Sequence, residues 1–255
     1  MQQQAKFVQG SQLSDEYFNP DLRLVVISDT HGNFYQLDLP KGDILIHAGD
    51  FTLEEESEKE AKSFLAWVNK QSHRHKIIVP GNHDYGFDRN LGKFLDDIKE
   101  VKLLIDNSVE ASGLRFYGVP WTKVFSNMAF NLPEGPELEA KWSAIPEDTD
   151  ILVTHGPAHG YLDIEDGNHL GEIGLRDRVE QVAPQLHVFG HIHSAAGVAF
   201  NDKTVFANCA LVDQRLKLCR RPTVIDFRDG EIRAIGNFVD PNTLRLFRTW
   251  ERARD

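Results

Sequence analysis

Asp43–Thr52 reads DILIHAGDFT. The run Ile44-Leu45-Ile46 has the unbroken apolar character of a strand covered on both faces. It gives way to Ala48-Gly49 and then to a carboxylate, Asp50. In α/β sheets, ligands collect beyond the carboxyl ends of strands. A glycine there lets the backbone turn sharply or approach a ligand closely. Asp50 is therefore the first candidate site residue, and the other apolar runs can be tested for the same kind of ending.

Four of them share it. Leu22–Ile27 (LRLVVI) runs into Ser28-Asp29-Thr30-His31-Gly32, and Lys76–Val79 into Pro80-Gly81-Asn82-His83-Asp84. Asp150–Thr154 ends in His155-Gly156-Pro157, and Leu186–Phe189 in Gly190-His191-Ile192-His193. A folded sheet carries such endings to one rim, so the polar clusters are expected to converge. A lone histidine at a strand end is commonly a hydrogen-bonded structural residue, and a lone DxH or HxH says little. The whole ordered set has no packing purpose. Carboxylate oxygens, imidazole nitrogens and an amide oxygen, without thiolate, suit borderline divalent metals such as Mn²⁺, Fe²⁺, Co²⁺, Ni²⁺ or Zn²⁺.

Helices are predicted between the strands. Thr52 and Glu55 form a capping box ahead of a helix that carries Ala61, Phe64, Leu65 and Val68 on one face. Leu91, Leu95 and Ile98 predict a second helix, Pro136–Ser143 a third, and Leu175, Val179 and Val182 a fourth. Trp121–Asn131 (WTKVFSNMAFN) reads as an aromatic loop, and Asp240-Pro241 as the start of a C-terminal helix over about 241–254. No repeat or low-complexity linker interrupts the chain. The expectation is one domain over residues 1–255, with its motif-bearing core at about 22–227.

Composition sets outer bounds. With 255 residues, 41% hydrophobic and 26% charged, the chain has an ordinary globular make-up and length enough for a sizeable core. A net charge of −11 without a basic cluster argues against long nucleic acid as a partner. Small anionic substrates stay open, because bound cations reverse a local field. No apolar run approaches the roughly 18 residues of a membrane span, and the N-terminus lacks the profile of a signal peptide. Cys209 and Cys219 lack CxxC spacing and read as reduced thiols, so the expectation is a cytoplasmic protein with no membrane partner.

The series Asp29-Thr30-His31, Gly49-Asp50, Gly81-Asn82-His83-Asp84, His155 and Gly190-His191-Ile192-His193 resembles the signature of the calcineurin-like metallophosphoesterases over about residues 22–227. GDILIHAGDFT, FYGVPWTKVFSNMAFN, ILVTHGP and LHVFGHIH are similar to the metallophosphoesterase-domain-containing (MPPED) subfamily. The resemblance implies an α/β fold, a four-layer αββα sandwich of two mixed β-sheets flanked by helices. It also implies two divalent metal ions about 3.5 Å apart, with Mn²⁺ the first choice and Fe, Ni, Co or Zn the others. Carried over, Asp29, His31 and His193 hold one ion, Asn82, His155 and His191 hold the other, and Asp50 bridges them. His83 is implied beside the phosphorus, where it orients phosphate and helps protonate the leaving oxygen. Asp84 is implied to pair with His83 and raise its basicity.

One position departs from the wider family, which often has GDxxD: Leu53 stands where the second acid would be, in keeping with the subfamily. Some vertebrate members of that subfamily have lost the first histidine of GHxH and are weak enzymes, whereas His191 is present here. The implied activity is a dimetal phosphodiesterase that hydrolyses small phosphodiesters, such as cyclic nucleotides, by in-line attack of a metal-bridging hydroxide. A phosphomonoesterase or broad phosphatase is the alternative on the same machinery. A non-catalytic scaffold is the alternative from another class. Asn33, Trp121, Asn131 and His159 are further candidates for substrate contact. His47 and His187 are read as packing residues, and His73 and His75 as loop residues.

Overall fold

Successive residues of a strand face opposite ways, so an unbroken apolar strand must be covered on both sides. The computed structural model of the protein describes residues 20–53, 58–240 and 243–249, and it meets this need with two stacked sheets and helices outside each. The first sheet is seven-stranded, in the order β17-β16-β15-β1-β2-β3-β4. It is built from β1 (Leu22–Ile27), β2 (Ile44–Ala48), β3 (His75–Val79), β4 (Lys102–Leu103), β15 (Thr223–Arg228), β16 (Glu231–Asp240) and β17 (Thr243–Thr249). The second has six strands in the order β13-β14-β12-β9-β6-β5. These are β5 (Asn107–Ala111), β6 (Leu114–Val119), β9 (Ile151–Thr154), β12 (Leu186–Phe189), β13 (Gly197–Phe200) and β14 (Val205–Asn208). Two short pairs stand apart, β7 (Thr122–Lys123) with β8 (Asn131–Leu132), and β10 (Ile164–Glu165) with β11 (Asn168–His169).

Each main sheet is mixed. β1 to β4 run parallel, as do β6, β9, β12 and β14, while β15, β5 and β13 join antiparallel. Leu24, Val26, Ile44, Ile46 and Ile77 meet Phe116, Ile151, Val153, Leu186 and Val188 between the sheets. The alternate residues Val25, Ile27, Leu45 and Ile78 pack under α1 (Glu58–Asn69), which contributes Ala61, Phe64, Leu65 and Val68. On the far side, Tyr117, Leu152 and Phe189 pack under Leu138 and Trp142 of α3 (Pro136–Ser143) and Leu175 and Val179 of α4 (Ile173–Val182). Each such large apolar side chain stabilises the fold by about 1.5–3 kcal/mol when fully buried. The layers are α, β, β, α, as expected.

Two local expectations are corrected. The second helix is only α2 (Tyr85–Arg89) followed by a 3-10 turn, Leu91–Phe94. Phe87 stacks on Phe94 at 4.9 Å, and Gly92 is a poor helix former, so the chain turns back instead of extending. The C-terminal helix expected over about 241–254 is replaced by a strand at Thr243–Thr249, antiparallel to β16. Thr243–Leu246 alternates polar and apolar residues, the register shifts beside Phe247, and the edge of β16 offers the strand hydrogen-bond partners. The rest of that expectation, residues 241, 242 and 250–254, lies outside the described residues. Of the expected capping box, Glu55 lies outside the described residues and the described part of α1 begins at Glu58, while the Thr52 hydroxyl donates to His83 O at 2.8 Å and Asp84 Oδ1 at 2.9 Å.

Candidate metal centre

Because β1, β2 and β3 are parallel to one another, as are β9 and β12, their polar endings meet at one rim. The backbone there adopts an unusual conformation. Asp29, His31, Asp50 and His191 have φ of 51°, 40°, 56° and 68°, a left-handed geometry that costs a side-chain-bearing residue roughly 1–2 kcal/mol. Backbone bonds hold it in place: Asp29 N donates to Gly49 O at 2.9 Å, and His31 N to Asp50 O at 3.0 Å. Gly49, at φ 99°, leaves no room for a Cβ, which would collide with His155 Nδ1. A Cβ on Gly190 would strike Asp29 Oδ2 and Ser28 Oγ. The glycines beside the ligand candidates therefore let two strand ends close on each other.

Two groups of donor atoms result. Asp29 Oδ1 lies 3.2 Å from His193 Nε2, which lies 3.4 Å from His31 Nε2. Asp50 Oδ1 lies 3.4 Å from His155 Nε2, and that nitrogen is 2.9 Å from Asn82 Oδ1. The donors of Asp29, His31 and His193 all lie within 4.8 Å of one another, and so do those of Asp50, His155 and His191. Asp50 Oδ2 also faces the first group, 3.7 Å from His31 Nε2. Asp50 thus lies between the groups. Outer bonds aim the rings: His155 Nδ1 donates to Ala48 O at 2.9 Å and His193 Nδ1 to Asp213 O at 3.2 Å, turning both Nε2 lone pairs inward.

The electrostatics fit divalent cations. Asp29 and Asp50 are buried, and among the described residues neither pairs with a lysine or arginine. Burial alone would raise the Asp50 carboxyl, but His155, His31 and His83 outweigh it and hold it well below the usual range. Burial opposes a charged His155, yet Asp50, Asp29 and the Ala48 carbonyl lift its pKa to about 9. Burial, with His155 adding to it, pushes His191 down to about 4. Crowded lone pairs with an imidazole nitrogen 3.4 Å from another are what a bound cation relieves, and the mixed N/O donors match borderline metals.

His83 and Asp84 part company. The His83 amide donates to Asp50 Oδ1 at 2.8 Å, and its ring sits 4.7 Å from that of His31. Its side chain is 28% exposed, against 1% for His31 and 0% for His155, so it faces the pocket. The expected pairing of Asp84 with His83 is corrected. Asp84 Oδ2 accepts from Asp50 N at 2.9 Å and Gly81 N at 2.7 Å. Its Oδ1 accepts from Thr52 N at 3.0 Å and Thr52 Oγ1 at 2.9 Å. His83 lies in a turn closed by Asp84 N donating to Gly81 O at 3.1 Å, and the two side chains part there, His83 toward the pocket and Asp84 into the protein. Burial and Asp50 push the Asp84 carboxyl up to about 8 against the pull of its donors.

A pocket of about 670 Å³ opens over the centre, with His31, Asp50, Asn82, His83, His191 and His193 at its floor. The four candidates for substrate contact lie off its wall. Asn33 braces His31 O and Leu216 O, and Asn131 bonds Thr122 Oγ1 at 2.8 Å. Trp121 Nε1 donates to Asp106 at 2.9 Å, with Lys141 over its ring at 4.3 Å. His159 turns toward Asp163. The wall is instead made by residues not singled out from sequence, among them Lys123, Phe125, Glu165, Leu170 and Gln214. Phe125 is 58% exposed, with its ring 5.6 Å from that of His191. Of the histidines read as structural, His47 Nε2 bonds Thr30 Oγ1 and His187 Nε2 bonds Thr154 Oγ1. His75 opens β3, not a loop.

Residues 22–195 match the family model for calcineurin-like phosphoesterases. The chain is 36% identical over 230 residues to metallophosphoesterase domain-containing protein 1 of Homo sapiens, covering 80% of this chain and 70% of that protein. It is 34% identical over 242 residues to a UPF0046 protein of Caenorhabditis elegans, covering 86% and 85%. A dimetal phosphatase from Danio rerio has a similar fold at TM-score 0.50 and 11% identity, over 86% of this chain and 95% of that one. No helix among the described residues is long and apolar enough to cross a membrane.

Proposed function

The chain belongs to the calcineurin-like phosphoesterase family, and on that premise we propose that it is a dimetal phosphodiesterase acting on small diesters such as cyclic nucleotides. Asp29, His31 and His193 would hold one ion, Asn82, His155 and His191 the other, with Asp50 shared. When bound, such ions would supply Lewis-acid charge to phosphoryl oxygens and a water whose pKa falls toward about 7. Mn²⁺ is the first choice by the family resemblance, and the donor set also admits Fe, Ni, Co or Zn. His83, the ring that faces the pocket, would hydrogen-bond and orient the phosphoryl group and then give its Nε2 proton to the leaving oxygen. The free thiols of Cys209 and Cys219 accord with a reducing, cytoplasmic setting.

The observation that carries the diester reading is the charge of the pocket wall. Among its described residues Lys123 is the single lysine or arginine, against Glu165, Asp166 and Glu172. Such a wall repels the second negative charge of a monoester more than the single charge of a diester. Phe125 and Leu170 offer the second ester arm an apolar face. The test is hydrolysis by metal-stripped protein re-supplied with Mn²⁺, Ni²⁺, Co²⁺ or Zn²⁺. Bis-p-nitrophenyl phosphate and 2′,3′- or 3′,5′-cyclic nucleotides should turn over faster than p-nitrophenyl phosphate. Turnover of the monoester alone would overturn the diester reading, and no turnover with any metal would favour a scaffold.

A further inference from the structure

We propose that His159, Asp163 and His169 form a third metal site, for Zn²⁺, which ties the β10–β11 hairpin to the loop after β9. The three donor atoms lie within 4.8 Å of one another, outside the pocket and separate from the groups around Asp50. Asp163 is the fixed member. Its side chain is 1% exposed, and Oδ2 accepts from Gly160 N at 3.0 Å and Gly171 N at 3.1 Å. The backbone therefore sets the direction of the carboxylate on both sides of the hairpin.

Both histidines turn Nδ1 toward this carboxylate. His169 Nδ1 is 2.8 Å from Oδ1, a hydrogen bond. His159 Nδ1 is 3.8 Å from Oδ2, too long for one. Zinc takes nitrogen at about 2.0–2.1 Å and carboxylate oxygen at about 2.0–2.2 Å, so tetrahedral donors stand about 3.3 Å apart. The 2.8 Å to His169 is measured from Oδ1 and the 3.8 Å to His159 from Oδ2, so small shifts of the two rings bring both nitrogens to that spacing around the carboxylate. Two imidazoles and a carboxylate are zinc-type donors. The 30% and 45% exposure of the histidine side chains gives an ion a path in and leaves its fourth position to water. Because the hairpin carries Glu165 and Asp166, and Leu170 follows it, the site would brace one wall of the pocket.

A loop held only by hydrogen bonds needs Asp163, His169 and the two amides, and takes from His159 only a ring contact with His169 at 4.9 Å and a 3.8 Å approach to Asp163. His159→Ala is therefore the discriminating variant, since it removes no hydrogen bond of that clamp. The full chain is stripped, equilibrated with buffered Zn²⁺, desalted and its zinc counted by atomic emission, alone and in an Asp50→Asn background. The expected counts are three per wild-type chain and two for His159→Ala, with one for Asp50→Asn and none for the double variant. Cleavage within residues 160–170 by an added protease should also rise in the zinc-loaded His159→Ala chain. Equal zinc in His159→Ala and its parent, in both backgrounds, overturns the proposal. A wild-type count of one that falls to none in His159→Ala upholds this site while the dimetal reading fails, so the two are tested apart.

Discussion

Asparagine at position 84 separates two roles for that residue. The Asp84 carboxylate accepts four donors, a pair on each oxygen. An amide keeps one acceptor oxygen, and its NH₂ must face the other pair. Turned toward Asp50 and Gly81, it leaves two backbone N–H groups without an acceptor. Turned toward Thr52, it leaves only the Thr52 N–H, because the threonine hydroxyl can rotate to accept. The cheaper arrangement costs about 2 kcal/mol for one buried, unpaired donor, or about 4–8 °C of Tm in a chain of this size. Loss of that frame around Asp50 should weaken metal binding by about 10–100-fold, the usual effect of altering a group behind a ligand. Thermal unfolding of the metal-stripped Asp84→Asn chain above pH 8, where Asp84 is ionised, reads the first effect, and metal titration the second. The pH profile of diester hydrolysis at saturating metal should keep its shape. An unchanged Tm together with a displaced pH profile would refute the clamp and restore Asp84 as the partner of His83.

Two further outcomes follow. His83→Ala should retain the metals and lose about 10²–10⁴ in diester hydrolysis, the range of a general acid, whereas Asp50→Asn should lose both metals; equal metal loss in the two variants, read by atomic emission, would make His83 a ligand. The metal-free protein should also lose Tm as pH rises. The folded pKa of His155, about 9, exceeds its ordinary 6.5, so its proton stabilises the fold fully below about pH 6.5, and that contribution disappears as pH rises through about 9. With metal present the trend should flatten or reverse, because binding needs the neutral imidazole; scanning fluorimetry from pH 6 to 9.5 checks both.

The cluster at the rim was legible because its members follow closely on apolar runs, and a strand's polarity decides which end reaches the rim. Asp29, Asp50, Asn82 and His155 needed no knowledge of distant contacts. Asp84 was misread because its partners, Thr52 and the Asp50 and Gly81 amides, become neighbours only once β2 and β3 lie side by side. The pocket wall was illegible for a similar reason. Trp121 and Asn131 turn inward to Asp106 and Thr122, leaving Phe125 and Lys123 to face the opening, and the β10–β11 hairpin reaches the same pocket from another part of the chain. The signal that could have found Phe125 is Val124-Phe125, an apolar pair in a loop where such residues gain nothing from exposure. The last strand was hidden because a strand at a sheet edge depends on its partner, here β16, more than on its own local pattern.

The central claim is that Asp50 is shared by two metal ions. Crystals of the full chain loaded with Mn²⁺, with data collected near the manganese absorption edge, test it most directly. The account predicts two anomalous peaks, one beside Asp29, His31 and His193 and one beside Asn82, His155 and His191, with an Asp50 oxygen in contact with both. A single peak, or two peaks with Asp50 touching only one, would contradict it.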